Sequence, residues 1–322
     1  DILQWRKLVN SFTLQVLMQL SKKDADSELN IKQRFAEIVK NKPLFSSNAD
    51  NFQLIRSDKS GQTYPFFKVS NNFVIYPMLS SEIIDRLKAN KDRRLFFYAK
   101  PSQVKIENGF LANDFNAYVG VDSSLPFSDL AAIKTSNDYS MLNDRYTELV
   151  TGEPTQIFGY AHFCFVLAEA AARGWINDDA AIWYGKGITS SMTFIAENTP
   201  NKNEFTHDMP MDNAYISAAS TAYVNAFPVH AEQRIEQIIT QKYLASYLQA
   251  KMTPYYDYRR TGYPKWKINP ESSMNADAPD KMPVRWRYPR HEYNFNGENL
   301  NKAIEQQYQG VDDVNKVMWL LK

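Results

Sequence analysis

The stretch 238–264 reads IITQKYLASYLQAKMTPYYDYRRTGYP and changes character near its middle. Its first half has apolar residues three and four positions apart, a spacing that predicts a helix with a broad apolar stripe. Thr253-Pro254 is expected to end this helix, because proline lacks an amide donor and clashes with the preceding turn. The second half predicts a loop crowded with rings and arginines, in which Asp257 lies within reach of Arg259 and Arg260 as a carboxylate partner. The predicted stripe consists of Ile238, Ile239, Tyr243, Leu244, Tyr247 and Leu248.

The composition bounds the fold and the range of partners. With 322 residues the chain can bury a large core, and no flexible linker separates independent domains. The 37 Lys and Arg residues nearly balance the 36 Asp and Glu residues, so the sequence indicates neither a nucleic-acid-binding protein nor attraction to an acidic membrane surface. No apolar run reaches the length of about twenty residues that a membrane-spanning helix requires. Aromatic residues make up 14% of the chain, and this surplus bears on function.

Two further regions carry helical patterns. Residues 158–172 are apolar nearly all round, which predicts a buried helix, and Asn177 or Asp178 can cap the helix that follows. Two antiparallel helices joined by a tight turn are the unit of tetratricopeptide-type repeats, although the repeat period is weak here. The first helix of the chain is predicted by a narrow apolar face made of Trp5, Leu8, Val9, Phe12, Val16 and Leu20. Long irregular loops are predicted for 44–78, 101–138 and 266–282.

Three segments resemble a known protein family. The predicted helix with the following Asp-Tyr-Arg-Arg-Thr-Gly-Tyr-Pro loop (257–264) is similar to a segment of the SusD/RagB-type nutrient-binding outer-membrane lipoproteins of Bacteroidetes, most closely their SusD-like 2 branch. Residues 165–175 resemble that family's LAEA…RGW helix, and residues 287–299 resemble its segment before the last helix. The resemblance therefore extends from about residue 159 to the end, and the first helix matches more loosely.

The resemblance implies a mainly α, SusD-like helical fold with tetratricopeptide-type helix pairs, long irregular loops and little β structure. It implies that residues 1–322 are a single SusD-like domain, the C-terminal portion of a longer protein, without its N-terminal helices and lipid-anchor region. The protein would lie on the outer face of the outer membrane, attached only through that anchor, with a SusC-like TonB-dependent transporter as its partner. No cofactor is implied. The motif residues expected to be structural are Tyr258, Arg259, Arg260, Tyr263, Tyr288 and Tyr293.

The residues give little sign of catalysis. The four histidines lack metal-ligand spacing, and His162 is expected to be a satisfied core residue. Cys164, the single cysteine, is expected to be a buried, inert thiol. Gly185-Lys186-Gly187 lacks the first glycine and the Ser or Thr of a phosphate-binding loop. Neither catalytic residues nor a metal site are predicted, although a pair of glycosidase carboxylates is defined in space rather than in sequence.

Aromatic residues in the irregular loops are the candidates for ligand binding. Sugar rings have apolar faces that stack on Tyr, Phe and Trp, while polar side chains fix their hydroxyl groups. Loops on a rigid scaffold commonly carry the residues that differ between ligands. The candidates are Tyr64, Phe66, Phe67, Tyr76, Tyr118 and Trp266.

Two functions remain open at this point. The first is a binding protein, not an enzyme, that captures an oligosaccharide, or alternatively a peptide, and passes it to the transporter. The second is a helical-repeat scaffold for protein–protein interaction without a small-molecule ligand. Rings clustered in a concave, polar-rimmed pocket would favour the first function, and rings spread over a flat face would favour the second.

Overall fold

The structure, a computed structural model, describes residues 1–69, 78–249 and 252–322. These residues form fifteen α-helices and four strands of no more than four residues each. The mainly α fold class with little β structure is therefore confirmed. None of the helices in the described part of the chain is long and apolar enough to cross a bilayer.

The helices and strands are distributed as follows. The first seven helices are α1 (Ile2–Gln19), α2 (Ile31–Asn41), α3 (Ser81–Ala89), α4 (Arg94–Tyr98), α5 (Gln103–Glu107), α6 (Phe127–Ser136) and α7 (Asp144–Thr147). The other eight are α8 (Tyr160–Ala172), α9 (Ala180–Glu197), α10 (Asn203–Thr206), α11 (Asn213–Asn225), α12 (Ala231–Ala245), α13 (Thr253–Thr261), α14 (Arg290–Phe295) and α15 (Gly297–Tyr308). Two antiparallel ribbons pair β1 (Phe52–Leu54) with β4 (Thr155–Phe158), and β2 (Ala99–Lys100) with β3 (Met141–Leu142).

The predicted loop 101–138 contains regular structure. It includes the short helices α5 and α6 and a 3₁₀ turn at Phe115–Ala117. No residue of α5 or α6 is buried, so these helices present no apolar stripe to the core. Helical periodicity in the sequence cannot reveal helices of this kind.

Helix α1 buries a face other than the one that its apolar pattern predicts. Leu14, Leu17 and Met18 are at most 2% exposed and lie in a core cluster with residues of α2 and α8. Four residues of the predicted face are instead 46–59% exposed, and we call them the α1 stripe: Trp5, Val9, Phe12 and Val16. Contacts of Trp5 and Phe12 with rings of β1 and β4, at centroid distances of 5.8 and 5.7 Å, extend this apolar surface onto the ribbon.

Helices α8 and α9 form the antiparallel pair that the sequence predicts. A Cβ on Gly187 would lie 2.6 Å from the ring of Phe165, so the glycine lets the two helices approach closely. The Gly-Lys-Gly sequence is therefore a feature of helix packing. The N-cap of α9 is Asp179, rather than the predicted Asn177 or Asp178.

Helix α12 is followed by a second helix and not by the predicted loop. Thr253-Pro254 begins α13, because a proline in the first turn of a helix needs no amide donor and its ring meets no preceding turn. Gly262, with a φ of 80°, ends α13 in the left-handed conformation that favours glycine. As a result Asp257 and Arg260, three residues apart, lie on one helical face.

A buried ionic network joins α13 to α8 and α12. Arg260 donates to Glu169 through both terminal nitrogens, with 2.8 Å from Nη2 to Oε2, and also to Asp257 Oδ1 at 3.0 Å. Lys242 Nζ lies 2.9 Å from Asp257 Oδ2, and all four side chains are at most 2% exposed. Burial alone would raise the pKa of Glu169 and of Asp257, but the neighbouring cations outweigh it and lower both values. This network fixes the segment that lines the pocket described next.

Candidate ligand-binding pocket

A cavity of about 750 Å³ lies beside the end of α12, where it meets residues of two irregular loops. We call it the aromatic pocket, because six of its described lining residues carry rings: Tyr64, Phe66, Tyr243, Tyr247, Tyr255 and Trp266. The other lining residues are Arg56, Pro65, Ile83, Thr155, Ser246, Leu248, Gln249, Pro254 and Met282. A concave site with many rings and a few polar groups is the usual form of a small-molecule site.

The end of α12 and the turn after it supply two rings. Tyr243 lies in the last turn of the helix, and Tyr247 lies in the turn that follows it. Tyr247 stacks on Tyr98 with a centroid distance of 4.2 Å, and its hydroxyl donates to the Tyr98 carbonyl at 3.3 Å. Leu248, three residues past the end of α12, adopts a φ of 56°, which is uncommon for a bulky residue, and it lies in the pocket wall.

Trp266 reaches the pocket from the loop after α13. Its ring packs edge-on against Tyr243 with a centroid distance of 4.8 Å, and its centroid lies 6.0 Å from that of Tyr258. The Arg86 guanidinium lies 5.8 Å from the centroid of Tyr243 and 5.9 Å from that of Trp266. These contacts fix the orientation of the indole, which is only partly buried.

Two polar residues of the pocket are held by the protein itself. Ser246 Oγ donates to the Lys242 carbonyl at 2.7 Å and lies 2.9 Å from His162 Nε2. Gln249 Nε2 donates to Glu153 at 2.5 Å, and its Oε1 accepts the backbone amide of Gln156 at 2.7 Å. The prediction that His162 is a satisfied core residue is confirmed.

Arg56 differs from these polar residues. Its Nε atom is buried and has no hydrogen-bond partner, and the described residues place no carboxylate within ion-pair distance of its guanidinium. It is also the one charged residue among the described residues of the pocket lining. An unsatisfied buried donor is costly, so an acceptor on a ligand would be favoured here.

The tyrosines that line the pocket and the neighbouring His162 are uncharged at neutral pH. Burial raises the pKa of Tyr64, Tyr243 and Tyr247. Burial, together with the nearby Lys242, lowers the pKa of His162 to about 4. The pocket is therefore suited to ring stacking and hydrogen bonding, and none of these groups has a pKa near the value expected of a general acid or base at neutral pH.

The structure brings three of the six predicted ligand residues together. Tyr64 and Phe66 come from one loop and Trp266 from a distant one, and all three line the aromatic pocket. Tyr64 is 2% exposed and contributes little ring face. Phe67 packs against the core nearby but does not line the pocket. Tyr76 lies outside the described residues.

Tyr118 requires a correction. Its ring is fully buried in the core against Phe96, at a centroid distance of 5.2 Å, and its hydroxyl donates to the Ala112 carbonyl at 2.8 Å. A side chain with no accessible ring face does not suit the predicted role in ligand binding. The loop setting that suggested this role, with few neighbouring apolar residues in the sequence, does not show that the chain folds back onto the core.

The motif residues after α12 make contacts within the fold. Arg260 belongs to the buried network, and the Arg259 guanidinium lies 4.7 Å from the centroid of Tyr256. Tyr258 and Tyr263 are partly buried, and Tyr258 faces Trp266 as described above.

The motif residues before α15 share one carboxylate. The backbone amide of Tyr288 donates to Asp312 Oδ2 at 2.9 Å, and the Tyr293 hydroxyl donates to the same atom at 2.7 Å. These contacts tie the segment to the C-terminal tail, away from the residues of the aromatic pocket.

Three further rings and one cation of the pocket were not among the sequence candidates. Tyr243 and Tyr247 were assigned to an apolar helix stripe, and Tyr255 to the ring-rich segment after it. Arg56 lies in an irregular segment whose sequence gives no sign that its Nε atom is buried.

The described elements define a mainly helical protein whose helices and loops frame a ring-lined cavity. The model of the SusD-like 2 family, described as starch-binding and associating with the outer membrane, matches residues 1–289. The chain belongs to this family, which confirms the resemblance seen in the sequence.

Solved structures agree with this membership. A SusD homologue from Bacteroides fragilis is 44% identical, with a TM-score of 0.95 over 100% of this chain and 68% of that chain. A second SusD homologue from the same species is 34% identical, with a TM-score of 0.86 over 100% of this chain and 68% of that chain. A chitin-binding protein is 26% identical, with a TM-score of 0.74 over 100% of this chain and 65% of that chain. No curated protein sequence matches significantly.

Proposed function

We propose that this protein binds an oligosaccharide in the aromatic pocket at the outer face of the outer membrane. The observation that carries the proposal is the convergence of six rings and a few polar groups in one concave cavity. Pyranose rings stack on such side chains, and their hydroxyl groups match partners such as Thr155 and Arg56. The family's description as starch-binding and the chitin-binding relative support a glycan as the ligand.

The proposed action is binding without catalysis. Hydrolysis of a glycosidic bond ordinarily needs two carboxyl groups on either side of the bond. The described lining residues of the aromatic pocket include neither Asp nor Glu. Glu153, which lies behind Gln249, is 3% exposed and pairs with Arg145 at 2.7 Å, so its carboxylate is occupied within the fold.

The proposed partner is a SusC-like TonB-dependent transporter, to which the bound oligosaccharide would be passed. Attachment through a lipid anchor on a longer form of the protein belongs to the same proposal. Support for both comes from family membership, since the family is described as associating with the outer membrane.

A calorimetric titration with a panel of neutral and acidic oligosaccharides and short peptides tests the binding proposal. Trp266→Ala should weaken the binding of the active glycan about tenfold, the loss of roughly 1.4 kcal/mol expected when a stacking ring is removed. Trp319→Ala is the matched control, because Trp319 is 55% exposed in the C-terminal tail and does not line the pocket. Equal effects of the two substitutions, or no binding of any glycan, would contradict the proposal.

The interaction scaffold remains the second candidate, and one observation favours it. The α1 stripe is an exposed set of apolar residues, none of which lines the aromatic pocket. Exposed patches of this kind commonly mark protein contacts. Absence of glycan binding together with tight association of the protein with the transporter would support this function instead.

A further inference from the structure

We propose that the aromatic pocket selects oligosaccharides that carry negative charge, such as uronate- or sulfate-bearing chains, over neutral ones. This inference rests on the proposed function and specifies its ligand class. Its basis is the charge of the side chains that line the pocket and the cavity beside it.

The pocket itself contains one cation and no described anion. Arg56 is its single charged lining residue among those described, and its buried Nε lacks a hydrogen-bond partner. Arg56 lines the same cavity as the rings of Tyr64 and Phe66. A carboxylate or sulfate group is the acceptor that matches a guanidinium best, because it can take two parallel hydrogen bonds.

A second cavity continues the aromatic pocket. It has a volume of about 580 Å³, shares Met282 with the pocket, and begins at Lys267, the residue after Trp266. Its charged lining residues are three cations and one anion: Lys267, Lys281, Arg287 and Asp277. Two sugar units in the neighbouring cavities would therefore meet four cations and one carboxylate among the described residues.

These cations are largely unpaired. Lys267 has only a long contact of 3.7 Å with Asp122, and its side chain is 57% exposed. No ion pair of Lys281 or Arg287 occurs among the described residues. The chain as a whole has a formal charge of +1, so the cationic character is local to these two cavities and would raise the local concentration of an anionic ligand.

A third cavity shows that this charge is not a general property of the surface. It has a volume of about 720 Å³ and lies between the loop at Asn48 and α9. Its described lining residues include one cation, Lys186, and one anion, Glu197. The Lys186 ammonium also lies over the Trp183 ring at 4.1 Å. The balanced charges there favour no anion.

The test compares oligomers that share a backbone and differ in charge. Tetragalacturonate and its fully methyl-esterified form are one pair, and a keratan sulfate tetrasaccharide with its desulfated, neutral form is the other. Calorimetry at low salt should show about tenfold or stronger binding of one charged member than of its uncharged counterpart. The preference should shrink when salt is raised from about 50 to about 500 mM, because screening weakens charge contacts at the surface.

Single substitutions test which residues cause the preference for charged oligomers. Arg56→Gln should weaken binding of the charged oligomer about tenfold and leave the uncharged one nearly unchanged. Lys281→Gln, at an exposed position, tests the same preference without altering a buried group, and should reduce both affinity and salt dependence. Lys186→Gln in the third cavity is the matched control and should change neither.

The outcomes separate the two proposals. Equal or tighter binding of uncharged oligosaccharides would overturn the charge preference and keep glycan binding. Binding of acidic peptides but of no oligosaccharide would overturn the ligand class. Binding of no oligosaccharide at all, charged or uncharged, would overturn the proposed function and this inference with it.

Discussion

The two sides of the α12–α13 segment are held in different ways. On the side facing α8, Lys242, Asp257 and Arg260 are at most 2% exposed and form a chain of ion pairs that reaches Glu169 through Arg260. On the side facing the aromatic pocket, the tyrosines are held by ring contacts and single hydrogen bonds, such as that of Tyr255 to the Pro283 carbonyl at 2.8 Å. One continuous motif therefore supplies a rigid support and a ligand-facing surface.

Residues of one family motif can therefore have different roles, some in stability and others in ligand binding. The ionic side should set stability, because a buried charge that loses its partner is strongly destabilising. The pocket side should set affinity, because its rings retain accessible surface. Substitutions on the two sides should thus separate stability from binding.

The largest effect is expected from Glu169→Gln. This change leaves the size of the side chain almost the same but removes the charge opposite the buried Arg260, and it should lower the free energy of unfolding by about 3–5 kcal/mol. Urea denaturation followed by circular dichroism measures the loss. Glu298→Gln is the control, since its pair with Lys302 is exposed and surface pairs contribute little. Similar losses in the two variants would contradict the role assigned to the network.

The next effect is a dependence of stability on pH. Burial lowers the pKa of His162 from 6.5 to about 4, so the unfolded chain binds the proton first as the pH falls. The contribution of neutral, buried His162 to the free energy of unfolding is complete above pH 6.5. It is lost as the pH decreases toward about 4, by about 3 kcal/mol in total.

Denaturation curves of the protein and of His162→Asn across this pH range provide the check. The variant should be less stable at pH 7 and should lose part of the slope between pH 6.5 and 4. A smaller slope remains because burial also lowers the pKa of His207. The carboxylates of the network, with lowered pKa values, contribute only at the acid end. An unchanged slope in the variant would contradict the neutral, buried state of His162.

The sequence predicted the parts of the fold that periodicity controls. The α8–α9 pair and the stripe of α12 as far as Leu244 follow from apolar spacing, because packing of one helical face requires it. The helical nature of 253–261 was missed, since a proline is read as a helix end when it can equally occupy a first turn. The α1 stripe shows a further limit: an apolar pattern identifies a helix, but it does not say which face the described core covers.

The candidate site was predicted only in part. Three loop rings were found because irregular segments rich in aromatics suggest binding surfaces. Arg56 and Tyr118 could not be placed, because the folding of a loop onto the core depends on contacts far away in the chain, such as that of Tyr118 with Phe96. Tyr243 and Tyr247 were assigned to an apolar helix stripe, and periodicity alone does not distinguish a core side from a pocket side.

Two adjacent phenylalanines give a sharper test of the pocket boundary. Phe66 lines the aromatic pocket and Phe67 does not, although both pack partly against the same core. Leucine at either position keeps an apolar side chain and removes the ring. Phe66→Leu should weaken glycan binding about two- to twelvefold, equivalent to the 0.5–1.5 kcal/mol of an aromatic contact. Phe67→Leu should leave the affinity unchanged in the same calorimetric titration. A larger loss of affinity in Phe67→Leu than in Phe66→Leu would contradict the assignment of Phe66 to the pocket.

The smallest effect on binding is expected from Tyr118→Phe. The substitution removes one hydroxyl, whose bond to the Ala112 carbonyl is 2.8 Å long, and leaves the buried ring in place. The free energy of unfolding should fall by about 0.5–1.5 kcal/mol, the usual contribution of one hydrogen bond. Glycan affinity should stay within experimental error, because the side chain has no surface that a ligand can reach. A measurable loss of affinity without a loss of stability would return Tyr118 to the set of ligand-binding residues and would show that this loop opens when the ligand binds.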